Sequence, residues 1–183
     1  MLLGRRPGRV RLRDIFWEQT IRLRFHPRSK EEAIEALVDA LVAHNQAPPS
    51  WRDRMLEKAL RREQAISTAA GGETAFPHIA FPGFPDLIGC MGICPEGIEF
   101  GDPDGGLTRF VFLLVGPEGL YEEYLAVLAR IAERMVDPEV RRALLECGTA
   151  GEVLQVLSPG ERAHSALPAD EPRPTDERSV ESL

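Results

Sequence analysis

Arg109-Phe110-Val111-Phe112-Leu113-Leu114-Val115 is apolar at every position but its first, over the length of one β-strand. Alternating apolar and polar side chains mark a strand wetted on one face, whereas an unbroken run marks one buried on both. Leu87-Ile88-Gly89-Cys90-Met91-Gly92-Ile93 has the same character. Two such strands need cover on both sides of their sheet, and helices are the elements available to supply it. The fold class read from this pair is α/β: a β-sheet with helices packed on both faces, in a single domain.

The flanking segments supply those helices. Ser29-Lys30-Glu31-Glu32 has the capping-box pattern, and Ala33, Ile34, Leu37, Val38, Leu41 and Val42 follow at helical spacing. A second helix is expected from Ser50, with Asp53 three positions on and Met55, Leu56, Ala59 and Leu60 on one face, ending in Arg61-Arg62-Glu63. After Gly116-Pro117-Glu118-Gly119 a long amphipathic helix carries Tyr124, Leu125, Leu128, Ile131, Ala132 and Met135. Two shorter helices follow, one opening at Pro138 and one at the capping box Thr149-Ala150-Gly151-Glu152. Ile21-Arg22-Leu23-Arg24-Phe25 has the period of a half-buried strand with its arginines in water, and Pro95-Glu96-Gly97 and Asp102-Pro103-Asp104-Gly105-Gly106 read as turns around a short Ile98-Glu99-Phe100 piece.

With 183 residues, 43% of them hydrophobic, the chain can build one sizeable core and is too short for two. The folded domain is placed at residues 10–157. A basic tail at 1–9 and a tail rich in Pro, Glu, Asp and Arg at 158–183 are expected to be disordered. A formal net charge of −7 gives no general attraction to nucleic acid or to an anionic membrane. No apolar run approaches the roughly 20 residues of a membrane span, and the arginine-rich start has no apolar core of a signal peptide, so a cytosolic protein without membrane insertion is expected. Cys90, Cys94 and Cys147 fit buried, inert thiols in a reducing compartment better than a disulfide framework.

The chemistry is placed in Glu73-Thr74-Ala75-Phe76-Pro77-His78-Ile79, entered through Thr68 and the pair Gly71-Gly72. Proline cannot continue a central strand and pushes Phe76 towards an extended conformation, so His78 is expected just beyond a short strand, within reach of a partner.

The order of these pieces resembles the enzyme IIA component of the fructose/mannitol type. This is the phosphoryl-carrying domain of the bacterial sugar phosphotransferase system, a fold shared with the nitrogen-regulatory enzyme IIA proteins. The residues that carry the resemblance are Arg62-Glu63, Thr68, Gly71 and Ala75-Phe76-Pro77-His78 in register, and it spans about 10–157. It implies that His78 is the phosphorylated histidine, taking its phosphoryl group from an HPr-type phosphocarrier protein and passing it to a IIB domain or to a regulatory target protein. It further implies that Arg62 is the active-site arginine, and that the fold is a mixed β-sheet with helices packed on both faces and the histidine at one edge of the sheet. The residue chemistry agrees with those roles. An imidazole with an ordinary pKa of about 6.5 is substantially neutral at pH 7 and nucleophilic, provided one ring nitrogen keeps its proton on an acceptor. Arg62, the Thr68 hydroxyl and the backbone around Gly71 and Gly72 are suited to hold the equatorial oxygens. Neither a cofactor nor a metal is called for.

The pattern departs from the family at Ile79, where the family prefers a small residue, and at two further places. Where the family carries a second histidine in a Glu-His-Leu context, this chain reads Glu123-Tyr124-Leu125, and a phenol donates a hydrogen bond without carrying positive charge near neutral pH. Where the family reads Thr-Gly-Ile-Gly-Asn-Gly, this chain reads Thr68-Ala69-Ala70-Gly71-Gly72-Glu73. Glu73 there could repel the incoming group, point into solvent or pair with Arg62. Two functions follow from these residues: a phosphoryl carrier working through His78, or a binding module of the same fold that signals by protein contact.

Overall fold

The computed structural model describes residues 11–161. The element order is β1 (Ile21–Arg22), α1 (Lys30–Ala43), α2 (Arg52–Ala65), β2 (Thr74–Ala75), β3 (His78–Ala80), β4 (Ile88–Ile98), β5 (Thr108–Gly116), α3 (Tyr121–Met135), α4 (Pro138–Glu146) and α5 (Ala150–Leu157). The sheet runs β1-β4-β5-β2, with β3 also on β5. β4 and β5 are antiparallel, and every other pairing is parallel, so the sheet is mixed as expected.

β4 and β5 are the central pair, and their side chains divide by parity. Cys90, Cys94, Val111, Leu113 and Val115 enter a core with α1 and α2, while Met91, Ile93, Phe110, Phe112 and Leu114 enter a second core with α3, α4 and α5. Both faces are dry because both sets are apolar. Each fully buried aliphatic or phenyl side chain contributes about 1.5–3 kcal/mol, so neither face of β5 tolerates water. Burial also pushes the Cys90 and Cys94 thiols up to about 12, which keeps them protonated.

Several boundaries differ from the expectation. α1 is capped by Ser29, but the Glu32 carboxylate reaches back to the Arg28 amide instead of completing the box. α2 begins at Arg52, not Ser50, after a 3-10 turn over Pro49–Trp51. The Pro48-Pro49 pair presets that turn, and Trp51 is drawn inward against Phe81 and Phe84. The β1 ladder covers only Ile21 and Arg22, because Arg24 takes φ 49° and breaks it, although the Phe25 amide still donates to the Ile93 carbonyl of β4 at 2.8 Å. β4 does not stop at Ile93 but runs on to Ile98, absorbing Pro95-Glu96-Gly97 in a register shift. α4 opens at Pro138 and the Thr149 capping box forms as read, and Asp137 caps α4 by accepting from the Glu139 amide.

Of the tails, 1–9 and 162–183 lie outside the described residues. Ser158 is buried, and the Glu161 carboxylate takes bonds from Arg130 at 2.7 Å and from the Arg13 amide at 3.2 Å. No helix among the described residues is long and apolar enough to cross a membrane.

Candidate functional site

β2 and β3 are two pieces of one edge strand. Thr74 stands opposite Phe110, Ala75 opposite Val111 and His78 opposite Leu114, so pairing resumes after the break in unchanged register. Pro77 interrupts it, having no N–H to give, although its carbonyl still accepts from the Leu114 amide at 2.9 Å. His78 therefore opens a strand instead of lying just beyond one, because the register on β5 recaptures the chain immediately after the proline.

The two-residue period sends Phe76 and His78 to the α3 side. Phe76 stacks on Phe112 with ring centroids 5.5 Å apart, and His78 faces Tyr124, centroids 4.8 Å apart. A cavity of about 150 Å³ adjoins His78, lined by Tyr121, Tyr124, Leu87, Leu114 and Pro117 among others. Tyr121 and Leu125 on α3, and Ile66 just past the end of α2, leave apolar surface in water.

From the other face of the sheet α2 reaches round the edge. In its last turn the Arg62 Nε–H donates to His78 Nε2 at 3.2 Å, while its Nη1 donates to the Ile66 carbonyl at 2.9 Å. On the opposite side of the ring His78 Nδ1 lies 3.1 Å from the Phe76 carbonyl. A carbonyl only accepts and a guanidinium only donates, so the pair of contacts defines the tautomer: Nδ1 carries the proton and Nε2 the lone pair. Burial, and secondarily the Arg62 charge, hold the His78 pKa below its ordinary value, against the opposing effects of the Phe76 carbonyl and Glu63. The ring is thus neutral at pH 7. Burial pushes the Tyr124 hydroxyl well above its ordinary value, so it stays a neutral donor.

Thr68 is not aimed at the ring. Its hydroxyl donates to Glu63 Oε2 at 2.5 Å and its amide to both Glu63 oxygens at 3.1 Å, which leaves no hydroxyl proton for a bound anion in this arrangement. Its carbonyl accepts the Phe76 amide at 3.0 Å. Glu63, 3% exposed, also has the Lys30 ammonium at 3.6 Å. Sequence reading quoted Glu63 beside Arg62 without giving it a role. The helical period, which turns residue 63 inward when 62 points out, was the available signal.

Gly71, Gly72 and Glu73 go elsewhere. All three have positive φ (75°, 57° and 64°) and form the tip of a tight loop closed by the Ala70 amide on the Thr74 carbonyl. The Glu73 carbonyl accepts from Arg109 and Phe110, five residues back along the strand from His78 and therefore roughly 15 Å away. Of the settings left open for Glu73, which were repulsion of the incoming group, solvent or a pair with Arg62, none is taken: it pairs with Arg109 at 2.8 Å and Arg141 at 3.2 Å, because the loop tip lies beside the C-terminal end of α3, where Arg141 is also held by the Met135 carbonyl. The structure thus brings together His78, Arg62 and Tyr124, with Thr68 behind Phe76, and leaves Gly71, Gly72 and Glu73 apart. Among the described residues, no group of three or more His, Cys, Asp or Glu side chains is placed to hold a metal ion.

Residues 14–159 match the model of the family described as phosphoenolpyruvate-dependent sugar phosphotransferase system, EIIA 2. The chain belongs to this family. A mannitol-specific phosphotransferase enzyme IIA component from Halalkalibacterium halodurans is 32% identical over 140 residues, which is 76% of this chain and 91% of that protein. The crystal structure of the nitrogen regulatory protein IIA-Ntr from Neisseria meningitidis superposes with a TM-score of 0.73 at 26% identity, covering 80% of this chain and 99% of that one. A complex of enzyme IIA Mtl with phosphorylated enzyme IIB Mtl from Escherichia coli shares the fold at 22% identity and a TM-score of 0.64, covering 78% of this chain and 96% of that one. The enzyme IIA family thus accounts for the mixed sheet and for nearly all the described residues.

Proposed function

We propose that this enzyme IIA-family protein is a phosphoryl carrier, taking the group from an HPr-type phosphocarrier on Nε2 of His78 and passing it to a IIB domain or to a regulatory target. The observation that carries this reading is the two-sided grip on the imidazole, with Arg62 on Nε2 and the Phe76 carbonyl at Nδ1. A neutral ring of that tautomer needs no separate base.

In the forward step the Nε2 lone pair attacks phosphorus as the donor's N–P bond breaks, and that bond's electron pair returns to the donor imidazole. The Nδ1 proton stays on His78, shared with the Phe76 carbonyl, which supports the positive charge developing on the ring. Arg62 exchanges its bond to Nε2 for bonds to the equatorial oxygens of the arriving group, so the guanidinium that holds the empty site also neutralises the filled one. Tyr124 supplies a neutral hydroxyl and a ring wall beside the acceptor. The cavity, with Tyr121, Leu125 and Ile66 around it, offers an apolar seat to a protein partner. Onward transfer reverses these movements, with a nucleophile of the IIB domain or target taking the phosphorus.

Incubation with enzyme I, an HPr-type protein and phosphoenolpyruvate should yield an acid-labile, base-stable phosphoryl adduct on the wild type and none on His78→Ala. No adduct on the wild type would leave the second reading, a binding module that signals by contact alone. An adduct on His78→Ala would move the acceptor elsewhere.

A further inference from the structure

Arg62 and Glu63 are neighbours in the last turn of α2 and point opposite ways, yet both lead to the same imidazole. Arg62 touches Nε2 directly. Glu63 binds the Thr68 amide and hydroxyl, the Thr68 carbonyl accepts the Phe76 amide, and the Phe76 carbonyl takes the proton of His78 Nδ1. Every link lies between 2.5 and 3.2 Å. The terminal carboxylate is buried, with Lys30 as its counter-charge.

We infer that Glu63 is a positioning residue for phosphoryl acceptance, acting through Thr68 and the Phe76 carbonyl to keep the proton on Nδ1 of His78; this rests on the carrier reading above. Phe76 precedes a proline and sits at the break between β2 and β3, where Pro77 offers no N–H to the ladder. Its carbonyl is therefore held in place by its own amide on Thr68 and by its stacked ring. Thr68 in turn lies in the segment after α2, outside both helix and strand, and Glu63 ties it there with three hydrogen bonds. A buried carboxylate accepting charge-assisted bonds is a stiffer anchor than a neutral group. If the chain slackens, the Phe76 carbonyl leaves Nδ1. The ring then loses the acceptor that orients Nε2 and supports the charge formed in transfer.

The measurement is the Nδ1–H resonance of His78 in nitrogen-15 labelled full-length protein, read before any phosphoryl donor is added. In the wild type it should be visible and protected from exchange with water. Glu63→Gln and Thr68→Val should each broaden it or speed its exchange at least tenfold, and Thr68→Ser, which keeps the hydroxyl, should restore it. Initial phosphorylation rates should fall about tenfold at saturating phosphocarrier in the first two variants, with the half-saturating phosphocarrier concentration little changed. An Nδ1–H equally protected in Glu63→Gln and Thr68→Val would overturn the inference. Should Glu63→Gln fail to fold, Thr68→Val alone decides, since its amide still binds Glu63. A wild type that shows the protected proton but takes no phosphoryl group would defeat the carrier reading and leave the restraint on His78 standing.

Discussion

Arg62 Nε stands 3.2 Å from His78 Nε2, and the two residues come from opposite sides of the sheet's edge: α2 packs on one face, and His78 points to the other. The nucleophilic nitrogen is therefore capped by the cation that would later bind what it receives. Arg62→Ala should lower the initial rate of phosphorylation by about 10²–10³, the usual loss when one preorganised donor is removed from a developing charge. Arg62→Lys should recover only part of it, because an ammonium cannot hold Nε2 and the Ile66 carbonyl with one planar fork. Rates with radiolabelled phosphoenolpyruvate check both.

The lowered pKa of His78 makes a pH prediction. On the carrier reading the neutral ring is the acceptor, so acceptance should stay level from pH 8 down past the ordinary imidazole value near 6.5 and fall only at lower pH, as the folded-state pKa is crossed. Stability follows the same sign. In that window the unfolded chain binds a proton that the folded ring refuses, so the stability His78 lends is full above about 6.5 and lost as pH falls through the folded value. Denaturation of wild type and His78→Gln between pH 5 and 8 should show a shallower dependence in the variant.

Because burial is the largest influence on His78, opening its surroundings should undo the shift. Tyr124→Ala removes the ring 4.8 Å away and admits water. The His78 pKa should rise towards 6.5, while Tyr124→Phe, which keeps the ring, should leave it near the wild-type value. A nitrogen-15 titration of the imidazole separates the two.

Glu73 should matter to stability and not to transfer. Its left-handed backbone disfavours any side chain, and its partly exposed pairs with Arg109 and Arg141 oppose that strain. Glu73→Ala loses the pairs and keeps the strain, so it should destabilise by about 1–2 kcal/mol, whereas Glu73→Gly relieves the strain and should be the more stable of the two by about 1 kcal/mol. Both should accept the phosphoryl group at the wild-type rate, since the residue lies roughly 15 Å from His78. Urea denaturation and the phosphorylation assay, run side by side, test the pair of statements.

Where local signals and packing agreed, the reading of the chain held. The Pro138 start of α4 and the Thr149 capping box involve groups at most three residues apart, so a short window contains all the physics. Where burial competed with a local signal, burial prevailed. Ser50 is a good cap in isolation, but seating Trp51 against Phe81 and Phe84 is worth more than one capping bond and sets the start of α2 two residues later. Pro95 and Gly97 are turn formers, yet β4 passes through them because Ile98 gains burial by staying on the sheet opposite Thr108.

The pattern of residues along the chain dictated a two-faced sheet between helices, since an unbroken apolar run such as 109–115 has no other stable setting in water. It also determined that one histidine follows a proline in a loop of the enzyme IIA pattern. Long-range packing set which ring nitrogen of His78 faces Arg62, gave the Thr68 hydroxyl to Glu63, and closed Glu73 on Arg109 and Arg141 far from the imidazole. Periodicity tells which face a side chain takes. It carries no information on which residues, 16 or 68 positions apart in the chain, meet at the edge of a sheet, because that depends on how the two cores and the break at Pro77 are packed together.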